Sequence, residues 1–345
     1  MGFALLAAVL FGASAPFSKL LLRDAKPQLL AGLLYLGSGV GLSLVWLIKR
    51  RNQNSALLTR GDAPWLAGAI VSGGIVAPVL LMLGLVRTPA SSASLLLNLE
   101  GVFTALIAWF VFRENFDRRI ALGMVAIVAG GLLLSWEARF ALDGLTGPVL
   151  VAGATLCWAV DNNLTQKVAA GDPVQIAMLK GLAAGSVNGA IALAFGARLP
   201  SFPRVAGAVS LGFLSYGVSL VLFVLALRYL GTARTGAYFS SAPFVGAAVS
   251  LVVFRERPTA AFVAAAGLMA VGVWIHVTER HEHEHTHEAM EHDHPHVHDE
   301  HHRHDHSPGD PAVTDPKPHT HRHRHEPMVH SHGHYPDIHH RHSHE

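Results

Sequence analysis

The chain has 345 residues, of which 51% are hydrophobic and only 14% charged, with a formal net charge of +2. Ordinary globular chains carry roughly 25% charged residues, so a soluble protein of this length does not fit. The small net charge, without any basic stripe, argues against a nucleic-acid binder. The single cysteine, Cys157, excludes an intrachain disulfide and leaves the redox compartment open.

A bilayer core of about 30 Å needs roughly 20 apolar residues in a helix. Ten segments read as such spans: 3–22, 28–48, 64–86, 90–112, 118–136, 146–166, 174–195, 205–227, 235–254 and 259–277. Helices are expected because lipid offers nothing to satisfy an exposed backbone, and the alternation of a β-barrel is absent. Pro16, Pro78, Pro243, Gly39 and Gly41 inside the segments suit membrane helices better than soluble ones. "GASA" at Gly12 resembles a signal-peptidase site, but no basic region precedes it and Pro16 follows, so the first span is expected to stay.

Short loops hold most of the charge. With the N-terminus inside, cytoplasmic loops of the first half hold Lys49, Arg50, Arg51, Arg60, Arg113, Arg118 and Arg119, and opposite loops hold Arg23, Lys26, Arg87 and Arg139. This bias favours an N-in topology, and an even span count then leaves the C-terminal tail cytoplasmic. A multi-pass protein of a bacterial inner membrane is expected, surrounded by lipid, with homodimerisation left open.

The chain also repeats itself. "TALIAWFVFRE" ending at Glu114 matches "GAAVSLVVFRE" ending at Glu256, 142 residues later, and Gly130 matches Gly272 at the same spacing. "FGASAPFSK" from Phe11 matches "WAVDNNLTQK" from Trp158, with one residue more. Each copy holds five spans, so the second runs inverted, the arrangement of secondary transporters with a midplane site between repeats. The expected division is a first repeat over 1–140, a second over 141–279 and a tail over 280–345.

These stretches resemble the EamA-type members of the drug/metabolite transporter superfamily. The resemblance rests on "FGASAPFSK", on "SSASLLLNLEGVFTALIAWFVFRENFDRRIALGMVAIVAGGLLL" from Ser91 and on "GAYFSSAPFVGAAVSLVVFRERP" from Gly236, and covers about residues 3–277. It implies an all-α membrane fold of ten helices in two inverted five-helix repeats. It also implies an export-type carrier whose central cavity is lined by the first, third, fourth, sixth, eighth and ninth spans. In the second copy Pro243 follows the position of the fourth-span acid; in the first, Gly101 stands there, which leaves a kink open at that point.

Ionisable groups at bilayer depth are costly and mark candidate sites. Glu100 lies near the middle of the fourth span, with Thr104 on its face one turn on, while Asn98 points the other way. The second copy has Ala242 where Glu100 stands, so the repeat does not demand a carboxylate. In the sixth span Asp161 and Asn162 are candidates; Cys157, Asp161 and Thr165 step by four along one face and could hold a cation or a proton. Lys19 and Lys167 occupy matching positions near span ends, as snorkelling residues or gates. Ser14, Met82 and Tyr238 complete the expected cavity lining, with packing as the plain alternative for Met82. Lys180 falls inside the seventh span, outside the expected cavity, and is expected to pair or to snorkel.

All 24 histidines lie from His276 onward. His281, His283, His285 and His287 step by two, as do His292, His294, His296 and His298; His302, His304, His306, His319, His321, His323, His325, His330, His332 and His334 continue the pattern. Few apolar residues accompany them, so the tail reads as disordered. Imidazole suits Ni, Co, Zn and Cu. A chelating tail near the inner mouth would raise local metal concentration, and the resemblance extends to family members associated with nickel resistance. The first reading is therefore a proton-coupled exporter of Ni²⁺ or Co²⁺, with Zn²⁺ as a further cargo, in which the metal is substrate or tail ligand and no cofactor is required. The alternative is an exporter of small organic metabolites, such as amino acids, whose tail only buffers metal. A membrane-anchored metal sensor is a third. No nucleotide loop, H-E-x-x-H motif or nucleophile elbow points to an enzyme.

Overall fold

The computed structural model describes residues 2–49, 60–111, 118–138, 144–168, 172–223, 225–226, 238–278, 282–287, 290–296, 319–325 and 328–333. The first Phe-Arg-Glu triplet, Arg50, Arg51, Arg139, and His281, His298, His302, His304, His306 and His334 lie outside these residues. The chain divides into two units, one up to Glu279 and one from Arg280 to Ser343.

The first unit is all-helical among its described residues. Six segments are long and apolar enough to cross a membrane: Gly2–Leu21, Pro27–Ile48, Ala63–Arg87, Ala90–Ile107, Pro173–Ala194 and Phe202–Phe223. Ala121–Trp136, Ala242–Phe254 and Ala260–Ile275 are shorter apolar helices.

Several of these segments are interrupted, and the interruptions have local causes. The first consists of α1 (Gly2–Gly12) and α2 (Ser14–Leu21). Pro16 has no N–H to offer the Gly12 carbonyl four residues back, and α1 ends there. After α3 (Pro27–Lys49) come α4 (Ala63–Ala69), a π-helical segment Ile70–Val76 and α5 (Ala77–Arg87). Pro78 likewise frees the Gly74 carbonyl; the buried Asn188 amide donates to Ile75 O at 3.1 Å and Gly74 O at 3.4 Å. The fourth apolar stretch splits into α6 (Ala90–Leu96) and α7 (Leu99–Phe110), with Leu97 and Asn98 between them.

The rest of the unit is α8 (Arg118–Ala138), α9 (Thr146–Gln166), α10 (Pro173–Ala194), α11 (Phe202–Gly212) running into a second π-helical segment Phe213–Val218, α12 (Ala242–Phe254) and α13 (Ala260–Val277). Helix α10 starts with Asp172 accepting from the Val174 amide at 2.8 Å and Pro173 at N1; α13 starts with Thr259 accepting from the Phe262 amide at 3.1 Å.

The breaks follow the internal repeat. The two π segments begin at Ile70 and Phe213 and end at Val76 and Val218, the spacing of the Phe-Arg-Glu triplets to within a residue. The break at Leu97–Asn98 has its counterpart in the turn at Ser240–Ser241. In both, a side chain donates three residues back: Asn98 to Leu95 O at 2.9 Å, and Ser241 to Tyr238 O at 2.6 Å. The second copy has Pro243 to force its break; the first is interrupted without a proline, which answers the question that Gly101 leaves open.

Helix pairing has the same twofold logic. Helix α3 packs on α10 and α8 on α13; α1 packs on α12 and the second π segment, and α9 packs on α7, α5 and the first π segment. The α3–α10 contact is backbone-close. A Cβ at Gly39 would sit 2.4 Å from Leu182 N, and one at Gly181 2.5 Å from Gly39 N. Small residues let membrane helices approach this way, where no hydrophobic effect drives them together.

The second unit departs from expectation. Its described residues form strands β1 (Glu282–His287), β2 (Met290–His296), β3 (His319–His325) and β4 (Met328–Gly333), paired antiparallel as β1–β4 and β2–β3. The alternation that cannot make a helix has the period of a strand. The β2–β3 register also sets Glu291 opposite Arg324 and Asp293 opposite Arg322, unlike charges that favour a ladder. It aligns His292 with His323, His294 with His321 and His296 with His319; β1–β4 aligns His283 with His332 and His285 with His330.

Candidate functional site

Glu100 opens α7 immediately after the helix break, and Asn162 sits on α9, which packs against α7. The Asn162 amide donates to Glu100 Oε1 at 2.7 Å. Glu100 is half-buried and Asn162 exposed. One turn along α7, the Thr104 hydroxyl is buried with no hydrogen-bond partner. Such an orphan costs about 1–3 kcal/mol. The Thr104 carbonyl accepts from Asn163, whose amide also donates to Ala159 O. Asn163 escaped the sequence reading; three consecutive polar residues at Asp161–Asn163 were its signal.

Asp161 is not free to bind a cation. Lys180, from α10, donates to both of its oxygens at 2.6 Å and to Thr165 Oγ1 at 3.3 Å; Thr165 in turn donates to Asp161 at 2.8 Å. Lys180 and Asp161 keep only 16% and 7% of their side-chain exposure. The i, i+4 spacing that joins Thr165 to Asp161 was visible in the sequence. The partner nineteen residues away was not, and it corrects the reading of Cys157, Asp161 and Thr165 as a cation-holding face. Cys157 takes no part in this network; its carbonyl accepts from Ser72.

The ion pair needs Gly73. A Cβ there would fall 2.0 Å from Asp161 Oδ2 and 2.4 Å from its Cγ. The Gly73 carbonyl accepts from Tyr35 at 2.7 Å and Trp158 at 3.0 Å, so two other helices, α3 and α9, converge on this residue. Gly73→Ala is expected to destabilise the protein by about 1–3 kcal/mol through overpacking. A thermal melt in detergent reads this, and an unchanged midpoint would mean that Asp161 can move aside.

Aromatic rings line the adjoining region. Tyr35 stacks on Tyr216 with centroids 5.5 Å apart, Tyr216 meets Phe11 edge-on at 6.0 Å, Phe11 lies 5.5 Å from Phe239, and Phe239 lies 4.7 Å from Phe223. Ser14 is buried and hydrogen-bonds to Tyr216. Tyr238 is half-buried beside the α12 break. Met82 is 0% exposed and belongs to the hydrophobic core, so its placement in a cavity wall is corrected. The aromatic residues were missed because they are spread over four separate stretches of sequence.

Lys19 is far from Glu100 in role. It donates to the Thr88 carbonyl and lies 5.9 Å from the centroid of the Phe254 ring, so it bridges helices rather than snorkelling. Nearby, Glu256 accepts from the Ala90 amide at 3.2 Å, the Ser91 amide at 3.3 Å and the Ser91 hydroxyl. The repeated triplet thereby gains a physical meaning. Arg255 ends α12 in the left-handed conformation (φ 52°), rare for a residue with a Cβ. The chain turns back there, and Glu256 caps the first turn of α6. A shallow depression lined by Arg23, Lys26 and Arg87 lies at the loop after α2, away from Glu100.

Comparison with known proteins gives this architecture a family. The model of the EamA-like transporter family matches residues 1–136 and again 145–278. An uncharacterized transporter of Methanothermobacter thermautotrophicus is 28% identical over 267 residues, covering 72% of this chain and 78% of that one. A probable 4-amino-4-deoxy-L-arabinose-phosphoundecaprenol flippase subunit ArnE of Pseudomonas fluorescens is 41% identical over 88 residues, 26% of this chain and 76% of that protein. A solved crystal structure, 19% identical, shares the fold with a TM-score of 0.60, covering 80% of this chain and 95% of that one. A multi-pass helical protein matched twice along its length by one family model is a member of that family: the chain belongs to the EamA-like transporters.

Proposed function

We propose that this EamA-like transporter is a secondary carrier that exports small organic molecules bearing a protonated amine, amino acids and related metabolites among them. The observation that carries the reading is the Glu100–Asn162 pair beside the unpartnered Thr104 hydroxyl, in a helical unit that also holds a cluster of aromatic rings. One carboxylate supplies the charge for an ammonium group. Tyrosine and phenylalanine faces attract cations by roughly 0.5–2 kcal/mol each, and the free hydroxyl offers a polar contact. The donor set fits a transition metal poorly, since such ions prefer imidazole and thiolate. Among the described residues no cluster of three or more His, Cys, Asp or Glu is placed to hold a metal. The flippase relatives are named for an amino sugar, 4-amino-4-deoxy-L-arabinose, which is consistent with an amine-bearing cargo.

The carrier has ten spans in two inverted repeats, 1–140 and 141–279, with both termini at the cytoplasmic face of an inner membrane, and protons drive it. The tail over 280–345 buffers metal. A second reading, export of Ni²⁺ or Co²⁺ and also Zn²⁺, is favoured by the aligned histidines of the two tail ladders. Everted vesicles distinguish the two. They are expected to accumulate labelled tyramine or tyrosine under a pH gradient, with or without residues 281–345, and nickel is not expected to compete. Tail-dependent accumulation of nickel, with no amine moved, would overturn the organic reading.

A further inference from the structure

We infer that Lys180 fixes the charge stoichiometry of transport: by neutralising Asp161 it leaves Glu100 as the single mobile charge, so that one proton exchanges for one monovalent cation. This rests on the organic-cation reading and extends it.

The argument is a count of charges inside the helical unit. Asp161 is held through both oxygens by Lys180, and both are buried. Breaking that pair in low dielectric leaves a costly unpaired charge, so it stays intact through the cycle. Lys19 lies beside the carboxylate of Glu256, which is already committed to the start of α6. Lys167 has a partner of its own. Among the described residues of the spans, Glu100 is the carboxylate that faces an uncharged partner, the Asn162 amide.

The charged groups nearest this region on α9 and α10 are Asp161 and Lys180, which are paired with each other. Helix α8, which also packs on α7, has its charges only at its ends, Arg118 and Arg119 at one and Glu137 at the other. The Tyr35 phenol is neutral. When an ammonium group binds, the Glu100 carboxyl gives up its proton and the carboxylate takes the cation. On the opposite side the cation leaves and one proton returns. Each cycle moves one positive charge each way.

The test uses the purified full chain in proteoliposomes, with labelled tyramine as probe. A pH gradient is imposed, with or without a potassium–valinomycin potential. Uptake by the natural protein is expected to follow the pH gradient, with an initial rate that the potential leaves unchanged. Lys180→Met is expected to convert it. Asp161, now unpaired, cycles a second proton, so each cation taken up exchanges for two protons released, and an inside-positive potential raises the rate severalfold. The pair Asp161→Asn with Lys180→Met restores independence of potential. A structural role for the ion pair would alter rates without creating a response to potential. If Lys180→Met cannot be purified, the natural protein decides: a rate that rises with potential overturns the single-charge assignment. Failure of any Glu100-dependent amine uptake would instead sink the function reading beneath it.

Discussion

Glu100→Gln should abolish amine transport, lowering the rate by roughly a hundredfold. Glutamine is nearly isosteric with glutamate and can still accept from Asn162, so the α7–α9 contact survives the change. What disappears is the one charge that can pair with an ammonium ion or carry a proton. Removing one partner of a desolvated charge pair costs about 3 kcal/mol or more, and each 1.4 kcal/mol is tenfold in affinity. Glu100→Asp restores the charge with a shorter reach and is expected to recover part of the activity. Vesicle uptake of labelled tyramine measures both, with detergent melting as the control for folding. A glutamine variant that transports at the natural rate would remove Glu100 from the mechanism.

Lys180→Met alone should be the most destabilising substitution in the helical unit, costing about 3–5 kcal/mol, because it strands the Asp161 carboxylate in a buried site. Adding Asp161→Asn should recover most of that loss, since a buried ion pair is often worth little more than a well-packed neutral pair. Four proteins, natural, single, single and double, make a thermodynamic cycle. Melting midpoints with a large positive coupling bear out the pair as drawn from its two 2.6 Å contacts. Simple additivity would show that the two residues do not meet in the folded protein.

Much of the helical unit was legible in the amino-acid sequence. Apolar length placed the segments to within a few residues, and the repeated Phe-Arg-Glu triplet pointed to a duplicated plan. The interruptions were harder to read. Pro16 and Pro78 mark two of them, but the break at Leu97–Asn98 has no proline, and the π turns leave no signature in hydropathy. At the site, Glu100 and Asn162 stood out because polar groups are rare in lipid. Their mutual hydrogen bond, and the capture of Asp161 by Lys180, depend on which helices lie side by side, and that is set by close glycine contacts such as Gly39 on Gly181. In the tail, composition speaks for disorder and the period of two for a strand.

The matched π turns bear on the history of the chain. A π turn arises when one residue is inserted into an α-helix and the surrounding packing absorbs it locally. Here the same irregularity falls at equivalent places in the two halves, at Ile70–Val76 and Phe213–Val218. Two independent insertions at one spot are far less economical than a single older event. A single extra residue in the shared plan of the two halves would account for both turns, although their side chains differ.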